Sequence, residues 1–102
     1  MENRFFRRVK VNHEIKALAR DGFFLGRLVN ISLGGLFIKT EKSINVGEQI
    51  EINMPLRSDF EMSNFVAELT AIRSEAEGVA FKFTNLDPKN FWTLQAFINY
   101  ES

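Results

Sequence analysis

Alternation of hydrophobic and polar residues dominates the middle of the chain and predicts β-strands. The clearest run is Glu48-Gln-Ile-Glu-Ile-Asn-Met54, in which every second residue is apolar and would face a core. Two other runs place Ile15, Ala17 and Ala19 on one face, and Phe65, Ala67, Leu69 and Ala71 on another. A period of two is the period of side chains along a strand, so each run predicts a strand buried on one side.

The first two strands are predicted to form a hairpin. Asp21-Gly22 is a two-residue hairpin signal. The returning strand, residues 23–31, is expected to direct Phe23, Leu25 and Val29 inward, with an interruption at Arg27. A turn over residues 30–35 then leads into a short strand over residues 36–40.

Breaks in the later pattern predict where the remaining strands end. Pro55 is expected to end the strand before it, and residues 57–63 are polar enough for a loop. A four-residue turn from Glu75 to Gly78 precedes a strand that carries the apolar residues Val79, Phe81 and Phe83.

The end of the chain predicts one helix over residues 88–100. Asp87 can accept hydrogen bonds from the first free N–H groups, and Pro88 fits the first turn. Phe91, Leu94 and Ile98 recur at helical spacing, with Phe97 beside them. About six strands and one helix predict a mainly β fold, a small closed antiparallel barrel whose open end the helix plugs. The expected organisation is one domain, 1–102, with a flexible arm over 1–8 and the barrel over 9–84.

Composition narrows the possible functions. The 102 residues are 45% hydrophobic and carry a formal net charge of zero, which argues against a general nucleic-acid or membrane-surface binder. Absence of cysteine excludes disulfides, thiolate metal sites and cysteine nucleophiles. His13 is the only histidine and lacks partners at metal-ligand spacing, and no serine lies in a nucleophile motif. We therefore expect no metal, no cofactor and no enzymatic activity. With no apolar run of membrane-span length and no signal-peptide pattern, we expect a cytoplasmic protein without membrane insertion.

Two short motifs carry candidate binding chemistry. Arg4-x-x-x-Arg8 supplies two guanidinium groups, which stay charged, pair bidentately with phosphate or a guanine edge and stack on flat rings. Asn30-x-Ser32-x-x-Gly35 supplies an amide, a hydroxyl and a glycine beside which main chain can approach a bound group. Together they indicate a receptor for an anionic purine nucleotide.

These motifs, in this order, resemble the PilZ domain, a bacterial receptor domain for cyclic di-GMP. The resemblance rests on residues 3–11 and on residues 30–38, which include both motifs without gaps or substitutions. Gly78-Val-Ala-Phe-Lys-Phe83, followed by Asp87-Pro88 and an amphipathic helix, is similar to the end of that family's domains. The resemblance therefore covers essentially the whole chain.

The resemblance implies a function and a set of site residues. Arg4 and Arg8 would bind phosphate and guanine, Asn30 and Ser32 would contact a guanine edge, and Gly35 would keep the turn open. Arg7 is a further candidate that would add positive charge, and Gly34 is one that would allow a close backbone approach. Asn3 is a candidate because its position affects how many ligand molecules bind. The position before Arg4 is basic in many members of the family but is Asn3 here. The resemblance therefore does not determine whether one or two ligand molecules bind.

The leading hypothesis is a receptor that converts the cyclic di-GMP level into a change of shape read by an effector protein. Motility, biofilm attachment or exopolysaccharide production are the outputs that the resemblance implies. Two alternatives stay open: a PilZ-like protein-interaction adaptor that acts without ligand, and a small barrel that binds nucleic acid by stacking bases on aromatic side chains. The chain is expected to be a monomer or a homodimer.

Overall fold

The computed structural model describes residues 7–101, which form six strands and one helix. The elements are β1 (Val9–Ala19), β2 (Gly22–Ile31), β3 (Gly35–Lys39), β4 (Gln49–Arg57), β5 (Met62–Ser74), β6 (Gly78–Asn85) and α1 (Pro88–Glu101). The strands close into a barrel in the order β1-β2-β3-β6-β5-β4, and every neighbouring pair is antiparallel. The predicted barrel with a C-terminal helix is confirmed. Of the arm predicted over 1–8, only Arg7 and Arg8 are described, and they precede β1 without strand structure.

Strands with strict alternation fill the barrel interior as predicted. The residues of β1, β4 and β5 that were predicted to face the core are all buried and belong to one core cluster: Ile15, Ala17, Ala19, Ile50, Ile52, Met54, Phe65, Ala67, Leu69 and Ala71. Alternation works here because one face of a closed sheet meets only the core while the other meets solvent.

Strand β2 faces the opposite way from its prediction. Ala17 of β1 lies directly opposite Phe24, and opposite residues of two paired strands point to the same face. Ala17 is buried, so Phe24 points inward, whereas Phe23 and Leu25 are 66% and 64% exposed. Leu28 and Ile31 are the other inward residues of β2. The run Phe23-Phe24-Leu25 is apolar on both faces, so its own pattern does not determine the register.

The turns also differ slightly from the predicted ones. In the first hairpin the turn residues are Arg20 and Asp21, and Gly22 begins β2 with a φ of +126°, a conformation that favours glycine. Asn30 and Ile31 still belong to β2, so the next turn is shorter than predicted. The turn from Glu75 to Gly78 is confirmed by hydrogen bonds between the backbones of these two residues.

Pro55 does not end β4, and the predicted loop over 57–63 is only 58–61. The strand continues to Arg57, and Leu56 is as buried as the residues before Pro55. Proline lacks an N–H, so it fits a strand where no ladder hydrogen bond is required. Strand β4 pairs with β1 only at Glu51 and Ile52, so Pro55 has no partner on that side.

The helix begins at the predicted capping residue. Oδ1 of Asp87 accepts a hydrogen bond of 2.8 Å from the backbone N–H of Asn90, and this donation lowers the pKa of the Asp87 carboxyl. Leu94, Phe97 and Ile98 are buried in the core cluster, and the helix packs on β4 and β5.

The helix also approaches β1. The ring of Phe97 lies 6.3 Å from that of His13. Both side chains, together with Pro55, line a cavity in the region where β1 and β4 are not paired. No helix within residues 7–101 has the length and hydropathy needed to cross a membrane.

Candidate functional site

Pairing of β1 with β2 brings the two sequence motifs together. Val9 lies opposite Ile31 and Lys10 opposite Asn30, so the segment that enters β1 runs beside the turn that leaves β2. Nη1 of Arg8 donates a hydrogen bond of 2.5 Å to Oδ1 of Asn30. The last residue of the first motif therefore contacts the first residue of the second.

This contact fixes the direction of the Asn30 amide. A guanidinium group only donates hydrogen bonds, so the oxygen of Asn30 must face Arg8 and its NH₂ group must point elsewhere. Within residues 7–101, Arg8 makes no other hydrogen bond and no ion pair with a carboxylate. The Arg8–Asn30 contact is exposed, and no described residue binds the remaining N–H groups of Arg8.

The turn between β2 and β3 is held by its own serine. Ser32 is buried, and its backbone N–H donates to the carbonyl of Gly35 over 2.8 Å. Its hydroxyl accepts from the N–H of Gly34 at 3.2 Å and donates to the same Gly35 carbonyl at 3.4 Å. Ser32 thus stabilises the shape of the turn, a role that the motif alone did not indicate.

Gly35 is required by the packing of β3 on β6. A Cβ atom at this position would lie 2.1 Å from the carbonyl oxygen of Phe81, which no real side chain tolerates. The carbonyl of Gly34 also accepts a hydrogen bond of 3.3 Å from the N–H of Phe83. The turn that follows β2 is therefore also hydrogen-bonded to β6.

Two sequence-predicted site residues, Arg4 and Asn3, lie outside the described residues. Their predicted roles stay predictions. Arg7 is exposed and makes no hydrogen bond or ion pair within residues 7–101.

A separate cleft of about 700 Å³ lies near the other end of β3, and none of the described motif residues lines it. Its walls carry both signs of charge, including Arg27, Lys39, Glu75 and Glu77. Lys42, also in its wall, pairs with Asp21 at 2.9 Å and lowers the pKa of that carboxyl. In the described part of the chain no group of three metal-binding side chains occurs.

Comparison with known proteins identifies the family. The profile of the PilZ domain matches residues 2–100, nearly the whole chain. The chain belongs to the PilZ domain family. No curated protein sequence matches it significantly.

Three solved structures share the fold at low sequence identity. The PilZ domain of YcgR from Escherichia coli, determined with c-di-GMP (cyclic di-GMP), is 20% identical with a TM-score of 0.72, and the match covers 98% of this chain and 92% of that one. The PilZ domain of CeSA from a cellulose-synthesizing bacterium is 17% identical with a TM-score of 0.71, over 94% and 99% of the two chains. The Bacillus subtilis inhibitor of motility MotI/DgrA is 16% identical with a TM-score of 0.78; the match covers 97% of this chain but 51% of that protein.

Sequence analysis missed the residues that other strands of this PilZ domain place beside the motifs. Lys10 lies opposite Asn30, and Lys82 of β6 lies opposite Gly35. The pairing of β3 with β6 joins segments far apart in the sequence, so no local pattern around Lys82 indicates that it lies there. Only the strand order of the barrel shows it.

Proposed function

We propose that this PilZ domain binds cyclic di-GMP through the two motifs and transmits the ligand's presence to a protein partner. The observation that supports this most directly is the hydrogen bond from Arg8 to Asn30 beside the Ser32–Gly35 turn. Arg8 and Asn30 are separated in the sequence by the first hairpin but are in contact, which supports a shared ligand.

The chemistry of this surface suits an acceptor-rich anion. The other N–H groups of Arg8 and the NH₂ group of Asn30 are all donors. Phosphate oxygens, and O6 and N7 of guanine, are all acceptors. Arg8 can pair bidentately with either kind of group, and Arg4 supplies a second guanidinium of the same kind, as the family resemblance implies.

Transmission would follow from ordering of the segment that carries Arg4 and Arg8. A ligand shifts a conformational equilibrium only through its better affinity for one state, here the state in which this segment closes over the nucleotide. Closure changes the surface offered to an effector protein. The c-di-GMP in the YcgR structure supports the choice of ligand. The motility inhibitor MotI, and CeSA from a cellulose-synthesizing bacterium, support motility or exopolysaccharide control as the output. We place this non-enzymatic receptor in the cytoplasm.

The test is calorimetric titration of cyclic di-GMP into the wild type and an Arg4→Ala/Arg8→Ala variant. We expect binding by the wild type and binding by the variant that is weaker by about 100-fold or more, since each of the two lost charge-assisted contacts is worth roughly 1.5–3 kcal/mol, or about 10- to 100-fold in affinity. GTP and cyclic AMP serve as ligand controls. The stoichiometry shows whether one or two ligand molecules bind beside Asn3. Absence of binding by a folded wild type would refute the proposal.

A ligand-independent adaptor is the second candidate, and exposed apolar side chains favour a protein partner in either case. Phe60, Met62 and Trp92 are 92%, 59% and 65% exposed on the β4–β5 loop, the start of β5 and the helix. A partner captured equally well with and without cyclic di-GMP would support the adaptor, whereas a partner captured in one state only would support the receptor.

A further inference from the structure

Lys82 of β6 stands beside the glycine of the second motif. The β3–β6 register places Lys82 directly opposite Gly35, and opposite residues share one face of the sheet. Phe81, the residue before Lys82, is buried in the core, so the Lys82 side chain points to the outer surface, where it is exposed. It therefore lies on the surface next to the Ser32–Gly35 turn.

The charge of Lys82 is not neutralised by its described neighbours. Within residues 7–101 its side chain makes no ion pair and no hydrogen bond. On β5 its direct neighbour is Thr70, whose hydroxyl bonds to that of Thr84 at 3.3 Å. Glu68, the acidic residue closest along β5, is paired with Asn85 in the ladder and is only diagonal to Lys82. Among the described residues, the exposed ammonium group of Lys82 therefore has no charged partner.

Arg8 and Lys82 lie on opposite sides of that turn. Arg8 reaches Asn30 of β2 from the β1 side, while Lys82 belongs to β6, beyond β3. Adjacent strands are about 4.8 Å apart, so the β1 and β6 sides are separated by roughly 14 Å. A cyclic dinucleotide carries two phosphates on opposite sides of its ring and can engage cations on both sides at once.

We propose that Lys82 is part of the ligand site and that its ammonium group binds a phosphate of the nucleotide held by Arg8 and Asn30. This inference depends on the proposed function, because it assigns a further residue to the same ligand. Gly35 contributes by leaving no side chain between the Lys82 stem and the ligand. The site then extends across β1, β2, β3 and β6.

The experiment compares cyclic di-GMP affinity and its salt dependence in the wild type, Lys82→Ala and Lys82→Arg. Lys39→Ala is the matched control: Lys39 is also exposed on the β3–β6 ladder but lies at its other end, opposite Gly78. We expect Lys82→Ala to weaken binding about 5- to 10-fold, between the effect of a surface ion pair and that of a charge-assisted hydrogen bond. The affinity of Lys82→Ala for cyclic di-GMP should also fall less steeply with salt concentration than that of the wild type. Lys82→Arg and Lys39→Ala should bind like the wild type.

The outcomes separate this inference from the proposed function. If the wild type binds and Lys82→Ala binds with the same affinity and salt dependence, Lys82 is not a ligand residue, although the receptor proposal stands. If the folded wild type does not bind, both proposals fail. A purely structural role for Lys82 would lower the melting temperature without a change in salt dependence, and that result would also overturn the inference.

Discussion

Gly35 and Gly78 occupy opposite ends of the β3–β6 ladder and make the same close approach to a facing carbonyl. Gly35 lies opposite Lys82, and Gly78 lies opposite Lys39. A Cβ atom would lie 2.1 Å from the carbonyl oxygen of Phe81 at the first position and 2.2 Å from that of Ile38 at the second. Both obstacles are backbone atoms, so neither can move without disturbing the ladder. The fold therefore requires glycine at Gly35, in the motif, for the same reason as at Gly78, outside the motif.

Alanine at either glycine is expected to destabilise the barrel. Gly35→Ala and Gly78→Ala should each lower the free energy of unfolding by about 1–3 kcal/mol, the usual cost of forcing extra atoms into a packed region. Urea denaturation of both variants and the wild type measures this. An unchanged stability for Gly35→Ala would show that the two strands can separate at no cost.

Gly78→Ala is also the control for a ligand role of Gly35. The two variants share the backbone collision, but only Gly35 lies in the binding motif. If Gly35→Ala loses more cyclic di-GMP affinity than Gly78→Ala at similar stability, the excess reports on the ligand. Equal affinities would restrict Gly35 to the fold.

Arg8→Ala is expected to weaken cyclic di-GMP binding by about 10- to 100-fold, because a charge-assisted contact is lost. The matched control is Arg27→Ala. Arg27 makes the same kind of bond across the same two strands, from its Nη1 to Oδ1 of Asn12 at 2.8 Å, but lies outside both motifs. Titration calorimetry should show wild-type affinity for the control, and similar losses in both variants would point to a general effect of surface charge.

Protonation of Asp87 is expected to destabilise the helix start in acid. Its pKa is lowered in the folded chain because the N–H and side chain of Asn90 donate to the carboxylate. A lowered folded pKa means that the unfolded state binds the proton first. The stabilisation is therefore complete above the ordinary value of about 3.9 and is lost as pH falls through the lower folded value. Thermal melts followed by circular dichroism should show this loss in the wild type.

Asp87→Asn separates the charge from the cap, because asparagine also caps helices well. Near neutral pH this variant should retain most of the helix stability, and on acidification its melting temperature should fall less than that of the wild type. Parallel acid profiles for the two proteins would exclude Asp87 as the titrating group.

Prediction from sequence succeeded where one structural rule decided the outcome. Alternation in β4 and β5 has one structural interpretation, and so does the helix start at Asp87-Pro88. Both predictions are confirmed. The prediction that Pro55 ends a strand was wrong, because the effect of a proline depends on whether a neighbouring strand would accept a hydrogen bond from that position. This is determined by the order of the strands in the barrel. Local sequence does not contain that information.

The candidate site shows the same division. Its motifs were recognisable as residue types at fixed spacing, and the contact between Arg8 and Asn30 is consistent with a shared ligand. The burial of Ser32 and the position of Lys82 arise from the turn geometry and from the β3–β6 pairing. Neither could be derived before the strands were placed in order.

Strand β2 offers the sharpest test of the register, because adjacent phenylalanines face opposite sides of the barrel. Phe24 is buried opposite Ala17, so Phe24→Ala should cost about 3 kcal/mol or more through a core cavity. Phe23 is largely exposed, and Nζ of Lys16 lies 4.9 Å from the centroid of its ring. Phe23→Ala should therefore cost no more than about 1 kcal/mol, the value of an exposed cation–π contact. Urea denaturation of the two variants tests this register, since the reverse order of the two losses would mean that β2 is shifted by one residue, as predicted from the sequence.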